Sequence, residues 1–575
     1  MPASAMTARN AIRPAGPALT PFGAVETLTK AFPTSMVRDM GVAPASTPMK
    51  LTIGLYIRNA SLVNSILAEQ NRPGSALYHK YLTPAQTKSL FSPTRSSVLA
   101  VESYLAREGF RDISVTDDNR LVQARGSVGT VNAAFRTAEH VGLRRYGKAI
   151  LFNSRPAIVP AALGSTVQSV IGVHTVAMVS NIQKRKAGAS CEVIPLLNVC
   201  ALNDFTPRAF WVAYDAGGNL PGTDGSQTAD YHSGINTPIA IFGEGILTGV
   251  VEDLRTQENL YNLPQTNFTI VPESGGGTQT DTSGSDEFDL DTQTSSGVAG
   301  NVKHLDIFDA LSLDDSDLIV TYDQFVNSTD KAASASFGGC TALEELSGEL
   351  PTEDGIFATA ALQGQTIFAS SGDTGTGCEG VENGVPAGVP GTEYPASSEY
   401  VIGVGGTSLI TTPANLYQGE IPWAGAGGGL EPFETEGSWA TSVATTSTVT
   451  GIRSVPDISM DADPNVSGAD VTVGGATEII GGTSLASPMA LAVWARIESN
   501  NGEKYGFAGP VLYKEFGDDN TAGPLGRPGD LTQTVGGFND IQVGTNVGYP
   551  AAPGYDLASG LGSLDIALQI QDIGN

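Results

Sequence analysis

Histidine is nearly missing from this chain. Five occur in 575 residues, and only His232 and His304 lie beyond residue 186. A serine nucleophile that needs a histidine base therefore has almost no positions open to it. No stretch approaches the ~18 consecutive apolar residues that span a bilayer, which argues against a membrane-crossing helix. The first thirty residues carry no basic segment followed by an unbroken apolar one, so no secretory signal is visible. The cysteines form no Cys-x-x-Cys pair and have no histidine cluster beside them, which argues against a zinc site. There is no basic stripe to follow a nucleic-acid backbone, and no internal repeat.

What is present describes a large globular chain. Hydrophobic residues make up 41% and charged residues 16%, and the length suggests about two to four domains. The 69 glycines and 33 prolines point to many turns and loops. Charge is divided unevenly. Residues 1–186 hold 22 Lys and Arg against 9 Asp and Glu, a balance of +13, while the remainder holds 9 against 51, a balance of −42. A basic first part joined to an acidic second part implies surfaces that attract each other. The shortage of Lys and Arg in the second part also limits cationic self-repulsion in acid.

Four regions follow from the pattern. Residues 1–45, rich in Ala, Pro, Thr and Ser, are expected to be poorly ordered. Residues 46–183 alternate strands (Met49–Arg58, Asp112–Val115, Arg120–Gly126, Ala149–Phe152) with helices (Ser61–Gln70, Ser96–Gly109, Val128–Ala138), an α+β unit. Residues 184–204 open with Lys184-Arg185-Lys186 and read as a linker with an expected cleavage between Lys184 and Ala201. From 205 to 575, apolar runs such as Pro238–Phe242, Asp317–Tyr322, Thr366–Ala369 and Tyr400–Val404 are expected as strands of a mostly parallel sheet covered on both faces.

The strongest chemical signal is Gly481-Gly482-Thr483-Ser484-Leu485-Ala486-Ser487-Pro488, followed by the apolar Met489–Trp494. Ser484 would begin a buried helix, whose first amides favour developing negative charge. Gly405-Gly406-Thr407-Ser408-Leu409 repeats five of these letters but leads into Ile410–Pro413, which starts no helix. The Ser484 segment is similar to the nucleophile segment of subtilisin-like enzymes, yet no His-Gly-Thr-His context exists. Carboxylates must serve instead. Glu287 and Asp291 stand four residues apart, on one face of a helix, just before an expected Ser296–Ala299 turn. Close carboxyl groups share protons, so one can act as a base while the other orients it. Asp373 follows an apolar strand at a Gly-flanked turn, a place where α/β proteins put functional groups.

Together these segments resemble the sedolisin family of serine-carboxyl peptidases, in precursor form. Tyr78-His79-Lys80-Tyr81-Leu82-Thr83-Pro84 is similar to the family's propeptide signature, Thr206-Pro207 to its mature start, and Tyr394–Ser398 and Pro456–Ser459 to further hallmarks. The resemblance implies a subtilisin-like α/β catalytic domain behind an α+β, ferredoxin-like prodomain that inhibits it. It makes Ser484 the nucleophile, Glu287 the base, Asp291 its partner and Asp373 the oxyanion acid, protonated at acidic pH. Glu244 would extend the network, and Ser336, Phe337 and Gly338 would pair with substrate backbone. A calcium loop is implied in which Asp540 and Asp556 supply carboxylates and Ile541, Ala552 and Gly554 carbonyls, for one structural ion. Cys340 and Cys378 flank the Asp373 segment and are expected to be paired, with Cys191 bonded to Cys200. The implied activity is acid endopeptidase action on protein or peptide substrates by a secreted monomer. A tripeptidyl exopeptidase or a catalytically dead binding protein are the alternatives.

Overall fold

Alternation places Leu51, Ile53 and Leu55 on one face of the strand Pro48–Leu55, and Lys50 and Thr52 on the other. The first face packs on the helices Arg95–Glu108 and Val128–Phe135 through Val98, Val101, Leu105, Val131 and Phe135. Thr94 and Ser127 cap those helices by accepting from Ser97 N and Thr130 N. The four strands run in the order Arg111–Val115, Leu121–Ser127, Pro48–Leu55, Val167–Ile171, all antiparallel, with three α-helices (Val63–Asn71, Pro84–Phe91 and Arg95–Glu108) in the connection before Arg111 and Val128–Phe135 in the one after Ser127. This is the α+β prodomain.

The computed structural model describes residues 23–143, 149–185, 192–194, 199–201, 204–216, 232–281, 284–378, 381–382, 385–386, 391–441, 443, 451–519, 523–525, 527 and 529–573. Of the segment expected to be poorly ordered, the described part is ordered. Ala24–Glu26 pairs with Ile158–Pro160, and Arg38–Val42 pairs with Glu139–Leu143. Val25 and Phe32 are buried, so short apolar anchors outweigh the loop-like composition around them.

The second part is built on an eight-stranded sheet. Its order is Phe268–Pro272, Leu305–Ala310, Ile239–Glu244, Ala332–Ala335, Thr366–Ser370, Ile402–Thr411, Tyr417–Pro422, with Ile458–Asp461 also paired to Ile402–Thr411. Every pairing is parallel except that with Tyr417–Pro422. Helices cover both faces, as expected of near-continuous apolar strands. One expected strand is a helix. Asp317–Tyr322 lies within Asp315–Val326, which is buried on nearly all sides, and an apolar run of that kind has no period to betray it. Residues 296–299 likewise continue the helix Ser285–Ala299 rather than turning.

The prodomain docks on the helices Asp315–Val326 and Leu350–Leu362. Thr52 Oγ1 donates to Ser316 O at 2.7 Å, and Lys50 forms ion pairs with Glu273 and Asp317. Ser169 and Thr352 share a 2.8 Å hydroxyl contact. The Tyr78–Pro84 signature has a physical role here. Thr83 and Gln86 form a capping box on the helix Pro84–Phe91, and the Tyr81 hydroxyl donates to Lys504 O at 3.2 Å across the interface. The opposite charges of the two parts thus meet in a few buried contacts, Lys50 chief among them.

Candidate active site

Two helices carry Glu287, Asp291 and Ser484. Ser285–Ala299 and Thr483–Asn501 pack against each other inside the second part. Thr483 through Ser499 are all buried, and a helix apolar on every side belongs in a core. Gly482 caps it with φ +98°, and a Cβ there would collide with Asn181 O and come 2.7 Å from Asp373 Oδ2, so glycine is required. Pro488 supplies no N–H to the carbonyl of Ser484. The Ser336 hydroxyl lies 3.4 Å from that carbonyl.

The three carboxyl groups converge on Ser484. Glu287 and Asp291 stand one turn apart and are 2% and 0% exposed. Ser336 Oγ donates to Asp291 Oδ1 at 2.6 Å, and Ser180 Oγ donates to Glu287. Burial pushes both carboxyls up, with hydrogen bonds from Ser180 and Ser484 opposing this at Glu287, and the negative charge of Glu287 adding to it at Asp291. Such a pair keeps at least one proton well into the neutral range. Ser484 Oγ donates to Ser336 O at 3.0 Å. Asp373 follows the strand Thr366–Ser370 and accepts from Thr483 N at 2.8 Å and Thr483 Oγ1 at 2.9 Å. Burial raises it to about 7, so the carboxyl is protonated in acid.

A chain already occupies the cleft. Val179–Ser180 pairs antiparallel with Phe337–Cys340, placing Val179 opposite Gly338 and Ser180 opposite Phe337. Gln183–Lys184 pairs with Ala476–Gly481. Between them Asn181 N donates to Ser336 O at 3.1 Å, and Asn181 O accepts from Ser484 N at 3.0 Å. The carbonyl of Asn181 therefore sits on the first amides of the serine helix, beside Asp373. The chain that holds this position is the end of the prodomain.

Comparison with known proteins agrees with this arrangement. The pro-kumamolisin activation domain family matches residues 35–176, and the subtilase family matches residues 275–509. The chain is 33% identical over 569 residues to sedolisin of Pseudomonas sp. (strain 101), covering 94% of this chain and 90% of that protein. The protein belongs to the sedolisin family. The chain is also 32% identical over 571 residues to xanthomonalisin of Xanthomonas sp. (strain T-22), covering 91% of this chain and 65% of that one. Among solved structures, Pseudomonas sedolisin complexed with two molecules of pseudo-iodotyrostatin matches with TM-score 0.54 at 33% identity, over 64% of this chain and 97% of that one. The chain is thus a serine-type peptidase with an activation prodomain, a zymogen.

The remaining expected residues fall in several places. Ser408 lies inside the strand Ile402–Thr411, its Oγ donating to Asp463 at 2.6 Å, far in role from a helix N-terminus. Glu244 ends the strand Ile239–Glu244, and its carboxyl is raised to about 7 by burial and by Asp281, Asp309 and Asp317. Its Oε1 abuts Gly284, the cap of the Glu287 helix. Cys340 and Cys378 form a disulfide. Cys191 lies outside the described residues. Asp457, in the Pro456–Ser459 hallmark, pairs with Arg453 at 2.5 Å with both side chains wholly buried, so that hallmark is structural. Ser180, Asn181, Ser370 and Glu393 carried no sequence signal, because their importance lies only in what they touch.

Proposed function

We propose that this member of the sedolisin family is an acid-acting endopeptidase, secreted and monomeric, in which Ser484 attacks, Glu287 takes the proton, Asp291 orients Glu287, and Asp373 completes the oxyanion site. The reading rests above all on the Asn181 carbonyl, which accepts from the Ser484 amide, with Glu287 on the Ser484 hydroxyl and Asp373 on the neighbouring Thr483. As Ser484 Oγ adds to a carbonyl carbon, the oxygen gains negative charge. The Ser484 amide and a protonated Asp373 both donate to it there, in a site from which water is displaced. Asp373 can donate only below about pH 7, which ties activity to acid. Ser336, Phe337 and Gly338 align substrate backbone, as they now align the prodomain's.

Endopeptidase action is favoured by the course of the occupying chain. It runs through the cleft with Ser180, Val179 and Met178 ahead of Asn181 and continues into the prodomain, Met178 N donating to Leu313 O at 3.0 Å. A cleft closed for tripeptides would stop the chain after three residues. The disulfide fits an oxidising compartment.

A structural calcium ion belongs to the same reading. Asp540 and Asp556 are 1% and 4% exposed, and burial raises both to about 6. Asp540 accepts from Gly554 N at 3.1 Å and Asp556 from Ala552 N at 2.8 Å, so both touch the 552–554 loop. Asp556 Oδ1 already accepts from Ala558 N and Ser559 N, and Asp540 Oδ2 from Gln542 and Gly554 N, which leaves Asp540 Oδ1 and Asp556 Oδ2 as the oxygens with room for a hard cation. Asp540, Asp556 and the carbonyls of Ile541, Ala552 and Gly554 would hold it, neutralising two buried charges.

The test is incubation with a denatured protein at pH 3–4, with fragments identified by mass spectrometry. Internal fragments are expected from the wild type, and none from Ser484→Ala, which should also stay full length. Ser408→Ala should keep its activity. Exchange of those two results would overturn the assignment, and release of tripeptides alone would favour the exopeptidase reading.

A further inference from the structure

We propose that this peptidase selects a carboxamide side chain immediately before the bond it cuts, reading it with Glu393 and Ser370, and that the first bond it cuts in its own chain is Asn181–Ile182. The inference rests on the active-site reading above and names the substrate class of that site. The backbone sets the register. Asn181 N on Ser336 O, Asn181 O on Ser484 N, and the strand pairings on either side leave the Asn181–Ile182 peptide at the nucleophile.

The side chain of Asn181 then enters a built pocket. Its Nδ2 donates to Glu393 Oε2 at 2.8 Å and to Ser370 Oγ at 3.0 Å. Asn181, Glu393 and Ser370 are 4%, 7% and 0% exposed, so these bonds form out of water. Glu393 is held by backbone as well. It pairs with Cys340 in the same strand that aligns the substrate, so the pocket floor and the substrate register are fixed together. The walls are Gly338 and Gly372. A Cβ on either would come 2.6 or 2.7 Å from the Glu393 carboxyl, which reaches the incoming side chain because both positions lack one.

The chemistry of this pocket favours an amide over its rivals. An aliphatic side chain would leave Glu393 and Ser370 buried without a partner, and a buried polar group without a partner is costly. A Lys or Arg would bring a charge into a water-free pocket. Glu393, raised to about 8 by burial, carries no negative charge in acid to receive it. A neutral carboxamide donates to the carboxyl oxygen at no charge cost.

Cleavage of the chain's own bond balances as follows. Ser484 Oγ bonds to the Asn181 carbonyl carbon and passes its proton to Glu287. The bond from that carbon to the Ile182 nitrogen breaks as Glu287 hands the proton to the nitrogen, freeing Ile182 as a new amino terminus. A water molecule, deprotonated by Glu287, then adds to the acyl carbon and releases Asn181 as a carboxyl terminus, and the proton returns to Ser484 Oγ.

Two measurements test this. The full-length precursor is acidified, and its earliest fragments are identified by intact mass and amino-terminal sequencing. A fragment beginning at Ile182 is expected first, with trimming toward Thr206 later. Peptides that differ only in the residue before the cut, Asn, Gln, Leu or Lys, are then compared. Asn is expected to exceed Leu and Lys in kcat/KM by at least about tenfold, and Glu393→Leu to bring the Asn-to-Leu ratio within about threefold of one. In the precursor, Asn181→Leu should slow the first cut or move it, which reads the pocket without altering it. An enzyme that digests denatured protein but ignores the Asn and cuts first elsewhere would overturn the inference and leave the active-site reading standing. Absence of Ser484-dependent cleavage of any substrate would overturn both.

Discussion

Ser180 of the prodomain donates its hydroxyl to the carboxyl of Glu287, the group proposed to take the proton of Ser484. The single hydroxyl proton of Ser484 has two acceptors within reach, Ser336 O at 3.0 Å and Glu287, and Ser180 competes for the second. Ser180→Ala in the full-length chain should therefore speed self-cleavage in acid, by about tenfold given a hydrogen bond to a carboxylate of about 1.5–3 kcal/mol. The disappearance of intact precursor on a gel measures this. A rate equal to that of the wild type would mean that Ser180 does not restrain the base.

Glu287 and Asp291 share one turn of helix, and the charge of Glu287 raises the proton affinity of Asp291, so they should act as a unit. Glu287→Ala and Asp291→Ala are each expected to lose about 10³-fold or more in kcat, and the double variant little beyond that. Strictly multiplicative losses on a fluorogenic peptide would show two independent roles.

Many buried carboxyls are raised, and the sign of their effect on stability is fixed. Burial holds Glu139 near 8 and Glu436 and Glu498 near 7, above the 4.5 of an exposed Glu. Between about pH 4 and 8 the folded chain thus binds more protons than the unfolded one, and its stability falls as pH rises through that window. Ser484→Ala precursor, which cannot digest itself, should melt at least about 5 °C higher at pH 4 than at pH 7.5 by calorimetry. A higher melting point at pH 7.5 would contradict the assignment of these groups as buried acids.

Calcium bound only to the folded chain adds stability by mass action. A chelator should lower the melting temperature of the Ser484→Ala protein by several degrees at pH 6–7. Asp540→Ala should lower it without chelator and abolish the chelator's further effect. Identical melting curves with and without calcium would remove the site.

The serine helix and the carboxylate pair could be read directly from the chain because each is a local pattern. Gly481–Pro488 is a turn, a cap and an apolar helix in consecutive letters, and Glu287 and Asp291 are neighbours by helical spacing alone. The parallel sheet was legible for a related reason, since strands buried on both faces are continuous apolar runs. The same reasoning failed at Asp317–Tyr322, where a helix buried on nearly all sides has the same apolar composition as a strand. It also passed over residues 23–45, whose few apolar anchors are ordered by partners more than a hundred residues away.

The cleft was decided only by tertiary structure. The basic tract Lys184–Lys186 places the expected cleavage between Lys184 and Ala201, and the carbonyl that the fold sets on Ser484 N is that of Asn181, in Asn181–Ile182. Nothing in those two letters distinguishes them. Their place is set by antiparallel pairing with strands 158 and some 297 residues further along, and the pocket that reads Asn181 is assembled from Gly338, Ser370, Gly372 and Glu393. A nucleophile needs only its own helix to be recognised. A specificity pocket exists only where separate segments meet, and no local pattern of residues records that meeting.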